Sequence, residues 1–251
     1  MGSEEQQPQQ SAAMRAITVS REYGSGGGEV ARRLADRLGW QLLDHQIVES
    51  VAEKLDITGR QAQAHDEHVE GFVGRLLEGM QSTLPPPVFI GVNDTYEVIP
   101  PVDEKVYHET LRQVLIEAAK LGRVVIVGRG SQVIFGDERD ILHARVVAPL
   151  KQRIAYVVQR EGLDASVAQV RIQQKDNERR RALRDHYRRD EADTSLYDLV
   201  VNTGVLDLQA AVDLILLALE CKAQRLDVPE GELGPVAGLP IYPAPPEESP
   251  L

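Results

Sequence analysis

Cysteine is almost missing from this chain, and so are aromatic residues, long apolar runs and any excess of basic charge. One cysteine, Cys221, in 251 residues excludes an intrachain disulfide framework and a cysteine-based zinc site. It reads as a small apolar filler on a helix, in a reducing compartment. No apolar run approaches the roughly 20 residues that a membrane-spanning helix needs, and a stretch such as Val124–Val127 is only strand length. Residues 1–13 are rich in Glu, Gln and Pro and lack the basic start and apolar core of a secretory signal. A cytoplasmic, membrane-free protein is the expectation. The formal net charge is −11, with two acids in residues 1–13, five in residues 226–251 and no base in either stretch. That balance argues against binding to a nucleic acid polymer, which depends on neutralising many phosphates. It leaves room for a small phosphorylated ligand, for which a few clustered arginines suffice.

Periodicity supplies the organisation. Ala16–Val19 is a short β-type run, and Gly24-Ser25-Gly26-Gly27-Gly28 follows it closely. From Glu29 the pattern turns helical, with Val30, Leu34 and Leu38 four apart and Gly39 as the stop. Trp40–Leu43 reads as a strand, Asp44 follows it, and a second helix is expected over 46–55. Residues 56–105 hold a candidate helix over 65–81 and a candidate hairpin between 88 and 99. This stretch reads either as an insertion covering a ligand or as a homodimer contact. Beyond it come a helix over 106–121, a buried strand at 123–127 ending in Gly128-Arg129-Gly130-Ser131, and a strand over 141–147. Helices over 150–160 and 164–186, a strand over 196–202 and a closing helix over 208–225 complete the body. Residues 226–251 carry seven of the 14 prolines and read as a disordered acidic tail, as 1–14 read as a disordered leader. The body, 15–225, is expected to be one α/β domain: a parallel sheet with helices on both faces and ligands at the C-terminal strand ends.

A strand–glycine turn–helix aims backbone N–H groups at one point, at the positive end of a helix dipole, and so suits a polyphosphate. The nearest chemical template is the P-loop, G-x-x-x-x-G-K-[ST]. Aligned on Gly26, Arg21 takes the place of the first glycine, Gly27 that of the lysine and Gly28 that of the hydroxyl residue. Backbone cradling survives this exchange, but the lysine that neutralises phosphate charge and the hydroxyl that holds Mg2+ do not.

The run Ile17-Thr18-Val19-Ser20-Arg21-Glu22-Tyr23-Gly24-Ser25-Gly26-Gly27, then Leu42-Leu43-Asp44, resembles the cytidylate kinase-like proteins, relatives of the nucleoside monophosphate kinases. The resemblance continues at Val127-Gly128-Arg129-Gly130-Ser131, Lys175-Asp176-Asn177-Glu178-Arg179 and 195–203, and so covers roughly residues 15–220. It implies a three-layer P-loop kinase-like fold and an ATP-dependent phosphotransferase, with Mg2+ carried by the nucleotide and no metal held by the protein itself. The acceptor it implies is CMP-like or another small molecule. The family commonly has an arginine where this chain has Gly28.

Gly24, Ser25, Gly26, Gly27 and Gly28 are then the nucleotide-binding loop. Arg129 would contact the acceptor monophosphate, and Arg179, in a lid-like helix over 164–189, would reach over the phosphates with Asp176 as its partner; Asp44, Arg129 and Asp176 are the substrate-binding candidates. Asp44 resembles the acceptor-side aspartate. Arg21 is a candidate substitute for the missing loop charge, and Asp198 and Asn202 are expected near the nucleotide base. Without the lysine, a second reading stays open: a nucleotide-binding sensor or partner protein that kept the fold and lost the chemistry.

Overall fold

The computed structural model describes residues 13–44, 75–76 and 104–234. The helix expected over 46–55, most of that over 65–81 and the hairpin between 88 and 99 lie outside them. Among the described residues, five strands form one all-parallel sheet: β1 (Ala16–Arg21), β2 (Gln41–Leu43), β3 (Val124–Val127), β4 (Ile141–Val147) and β5 (Leu199–Asn202). Their order across the sheet is β2-β3-β1-β4-β5. The helices are α1 (Gly27–Leu38), α2 (Glu104–Leu121), α3 (Ser131–Ile134), α4 (Leu150–Glu161), α5 (Ala165–Tyr187) and α6 (Leu208–Ala223).

The alternation of side chains along each strand sorts residues between two layers. Ile17, Val19, Val125, Leu142, Ala144 and Val146 face α1 and α6, where they pack on Val30, Leu34, Val212 and Ile215. Ala16, Val124, Ile126 and Ile141 belong to the second core, with Leu111, Val114, Leu115 and Ala118 of α2. Fully burying a side chain such as Ile17 or Leu34 contributes about 1.5–3 kcal/mol, and both have no exposed surface.

The first layer is apolar until β1 ends in Arg21, but the second turns polar earlier. In β1 it reads Ala16, Thr18, Ser20, and in β4 it reads Ile141, His143, Arg145, paired residue by residue across the register. This face therefore turns polar toward its C-terminal end. His143 Nε2 lies 3.1 Å from the Phe135 carbonyl and Nδ1 lies 2.7 Å from Thr18 Oγ1. A carbonyl only accepts, so Nε2 donates and Nδ1 accepts from the threonine hydroxyl. Burial holds this neutral ring below the usual histidine pKa.

Several boundaries differ from the sequence expectation. α1 begins at Gly27, two residues early, because Gly26, at φ 78°, already turns the chain into the helix. The four-residue α3 and the 3-10 turn at Thr194–Leu196 carry too little periodicity to be read in advance. Cys221 does lie on a helix, α6, but it is exposed and fills no gap in the core.

Candidate active site

The C-terminal edge of the sheet gathers Arg21 at the end of β1, Asp44 after β2 and Gly128-Arg129-Gly130 after β3. Helix α5 crosses above this edge and closes a cavity of about 430 Å³, into which Arg21, Arg129 and Arg179 all project. Thus the three arginines expected from the sequence line one chamber. Arg179 donates from Nη1 to the Arg21 carbonyl at 3.1 Å, and its guanidinium lies 5.5 Å from the centre of the Tyr23 ring. Burial, then repulsion from Arg179 and Arg129, lowers the pKa of Arg21 to about 9, and the Asp44 carboxylate opposes them. Arg21 remains a cation at neutral pH. An anion that enters between the three guanidiniums would relieve their repulsion.

The backbone around Arg129 is strained. Gly128, Arg129 and Gly130 have φ values of 75°, 60° and 70°, three consecutive left-handed residues. For an arginine this costs about 1–2 kcal/mol. The Tyr187 ring of α5 presses on Gly130, leaving no room for a Cβ, and its hydroxyl lies 3.5 Å from the Arg129 carbonyl. A strained residue held on two sides and carrying a cation into a cavity is a functional signal.

The glycine loop behaves differently from its expected role. Ser25 is turned toward the chain itself: its hydroxyl lies 2.9 Å from the Glu22 carbonyl and 3.0 Å from that of Val146, and its N–H meets Glu22 O at 3.3 Å. Gly24 and Gly26 are glycines because protein packs on them. A Cβ on Gly24 would lie 2.9 Å from Val157 Cγ2, and one on Gly26 would lie 2.6 Å from Leu208 Cδ2. What the loop does present is the start of α1, whose first-turn amides have no intrahelical acceptor and whose N-cap, Gly26, supplies no side-chain cap.

Asp176 turns away from the cavity. One carboxylate oxygen accepts the Tyr23 N–H at 2.8 Å and the other accepts from Arg153 Nη1 at 2.5 Å. It pins α5 to the loop, with Arg179 Nη1 3.8 Å away. Arg180 reaches toward Glu191 at 3.8 Å and Arg181 is exposed, so neither joins the cluster. Asp198 is also displaced from its expected place. It precedes β5, at the opposite end from the ligand edge, where it accepts from His143 N at 2.8 Å and Lys222 Nζ at 2.6 Å. Asn202 ends β5 and caps the following turn through Gly204 N at 2.9 Å.

Sequence reasoning missed a buried polar floor under the cavity. Arg145 Nη1 donates to Ser20 Oγ and Tyr197 OH, each at 3.2 Å, and lies 3.6 Å from Glu191 Oε2. Burial pushes the Glu191 carboxyl up, against the pull of Arg145 and Arg180. The alternation Thr18, Ser20 against His143, Arg145 was a usable signal for Ser20 and Arg145; Glu191, in a connecting loop, had none. Among the described residues, no group of three or more His, Cys, Asp or Glu side chains could hold a metal ion. No helix among them is long and apolar enough to cross a membrane.

The model of the cytidylate kinase-like family matches residues 16–205, three quarters of the chain. The chain belongs to the cytidylate kinase-like family. It is 25% identical to a cytidylate kinase of Archaeoglobus fulgidus over 84% of its own length and 98% of that protein. It is 30% identical to a cytidylate kinase of Methanopyrus kandleri over 44% of its length, spanning 62% of that enzyme. Among solved structures, an uncharacterized protein from Eubacterium ventriosum shares the fold at a TM-score of 0.59 and 19% identity, over 82% of this chain and 98% of that one. The parallel sheet between helical layers is the three-layer α/β fold of this kinase-like family.

Proposed function

We propose that this member of the cytidylate kinase-like family transfers the γ-phosphoryl group of ATP to a small phosphorylated acceptor, a CMP-like nucleoside monophosphate. The observation that carries this reading is the convergence of Arg21, Arg129 and Arg179 on one cavity at the C-terminal sheet edge. Phosphoryl transfer asks a protein mainly for positioning and for positive charge around the moving group. An oxygen of the acceptor phosphate attacks the γ-phosphorus, the bond from that phosphorus to the β–γ bridging oxygen breaks, and the electron pair leaves with ADP. The acceptor phosphate is already ionised at neutral pH, so no side chain has to remove a proton. In this reading Mg2+ arrives with ATP, Arg129 holds the acceptor phosphate, and Arg21 and Arg179 hold the group in flight. Asp44, whose charge acts on Arg21, orients the cluster from the β2 side.

One observation favours a second reading, nucleotide binding without transfer: Gly27 and Gly28 stand where a P-loop has its lysine and hydroxyl. A coupled assay of ADP release, with Mg2+ and each nucleoside monophosphate in turn, separates the two. Turnover with CMP or a relative is expected. Tight nucleotide binding with no turnover on any acceptor would instead establish the sensor.

A further inference from the structure

Relative to a standard phosphate loop, this chain has a cation where the first glycine belongs and a glycine where the lysine belongs. The two departures are linked by packing. A Cβ built on Gly27 would lie 2.5 Å from Arg21 Cβ and 3.2 Å from both Arg21 Cγ and Val146 Cβ. The backbone is no obstacle, because Gly24 and Gly26 are left-handed but Gly27 is not. The stem of Arg21 fills the volume in which a side chain at position 27 would begin. Next door, a Cβ on Gly28 would meet nothing within 4 Å. At its other end the Arg21 guanidinium lies so close to Gly128 that a Cβ there would collide with Nη1. Two glycines, one on each loop, thus form a channel for a single arginine.

We propose that Arg21 does the work of the absent loop lysine: it brings the phosphate-neutralising cation in from the last residue of β1 instead of the first turn of α1, and Gly27 is the space its stem requires. The ligand is the terminal phosphate of a nucleoside triphosphate. The head of Arg21 meets that group between Arg129 and Arg179, and its five-donor fork can bind two phosphate oxygens at once. The inference rests on the transfer reading only for the fate of the phosphoryl group; the site for a triphosphate stands without it. A lone arginine on a surface would have its ordinary pKa, whereas burial and two neighbouring cations hold this one down.

The test is a cycle of variants, read both as MgATP affinity by calorimetry and as transfer to CMP. Arg21→Gln keeps the stem and removes the charge, and should weaken MgATP binding about 30-fold, the worth of a charge-assisted contact. Transfer should fall about 100-fold or more. Arg21→Lys should stay within about tenfold of the parent, since lysine also binds phosphate as a point charge. Gly27→Lys alone should lose as much as Arg21→Gln, because two stems compete for one space. The double variant Arg21→Gly/Gly27→Lys restores the first glycine and the lysine of the standard loop and should recover to within about tenfold of the parent. Arg21→Gln with parental MgATP affinity would overturn the inference. So would a double variant no better than Arg21→Gly, with both proteins folded by circular dichroism. If the parent binds MgATP in an Arg21-dependent way but transfers to no acceptor, the inference stands and the transfer reading falls. If it transfers and Arg21→Gln transfers equally well, the reverse holds. A parent that does not bind MgATP refutes both.

Discussion

Two loops of the same construction sit side by side at the C-terminal edge of the sheet. Each leaves one of a pair of hydrogen-bonded parallel strands, β1 or β3, passes through left-handed residues and enters a helix. The β1–α1 loop is the richer in glycine, yet much of its surface is spent on the protein itself. Val157 packs on Gly24, Leu208 packs on Gly26, and Asp176 takes the Tyr23 amide. The β3–α3 loop has two glycines around one strained arginine and opens into the cavity. Glycine content therefore reports close packing first; the positive side-chain charge at this site comes from four separate elements, through Arg21, Arg112, Arg129 and Arg179, with Lys175 beside the last.

Removing the charge of the open loop should have the largest effect. Arg129→Ala is expected to lower kcat/KM for transfer to CMP by about 10³-fold, or about 4 kcal/mol of transition-state stabilisation. The melting temperature should move by only a few degrees, since alanine keeps the same left-handed strain. A variant with kcat/KM intact would place the acceptor phosphate elsewhere and dissolve the contrast between the loops.

The closed loop should respond in stability instead. Gly26→Ala forces a Cβ into a left-handed residue and to within 2.6 Å of Leu208 Cδ2. The expected loss is about 2–4 kcal/mol in urea denaturation. Leu208→Ala in the same chain should return part of it, because the collision partner is gone; the sum of the two single effects should exceed the double. Strict additivity would mean that Leu208 does not police this glycine.

The two loops also show how far the sequence could be read. The strand–glycine–helix order, the parallel sheet and the placing of Arg21 and Arg129 at one edge followed from local pattern, whereas Arg179 was placed there by the family resemblance. The hydrophobic period and the punctuation by glycine are local properties. The errors came from long-range contacts. Nothing local says that Asp176 turns toward the amide of Tyr23, 153 residues away. Nothing local says that Ser25 spends its hydroxyl on Val146, or that Asp198 belongs to the far end of β5. Arg145 was hidden for the opposite reason: an arginine inside a strand reads as an edge residue until its pairing with Ser20 puts it under the cavity.

The polar side of the sheet predicts an acid sensitivity of medium size. His143 is neutral and buried, with its folded pKa below its ordinary value of 6.5. The unfolded chain therefore binds the proton first, and stability falls as the pH drops below about 6.5 toward the lower folded value. The Lys222 charge reinforces the lowering and Asp198 opposes it. Each unit of that interval is about 1.4 kcal/mol at most. Urea titrations at pH 7.5 and pH 5 should show the loss, and His143→Gln should flatten the difference while lowering stability at both. An unchanged slope would show that His143 is not the group responsible for the acid loss.

The smallest effect should come from Gly28, and it has the opposite sign. Its neighbours on the loop are glycine for a structural reason, either a left-handed turn or the stem of Arg21. Gly28 has neither: a Cβ there meets nothing within 4 Å, and it lies in the first turn of α1 with no left-handed backbone. In a helix, glycine costs about 0.5–1 kcal/mol relative to alanine. Gly28→Ala should therefore raise the unfolding free energy by about that much, against losses for Gly24→Ala, Gly26→Ala and Gly27→Ala. If the same variant weakens MgATP binding, the bare backbone at 28 is what the ligand approaches. If it binds as the parent does, the ligand is held by amides and arginines alone, and the run of glycines divides into two that shape the loop, one that admits Arg21 and one that nothing requires.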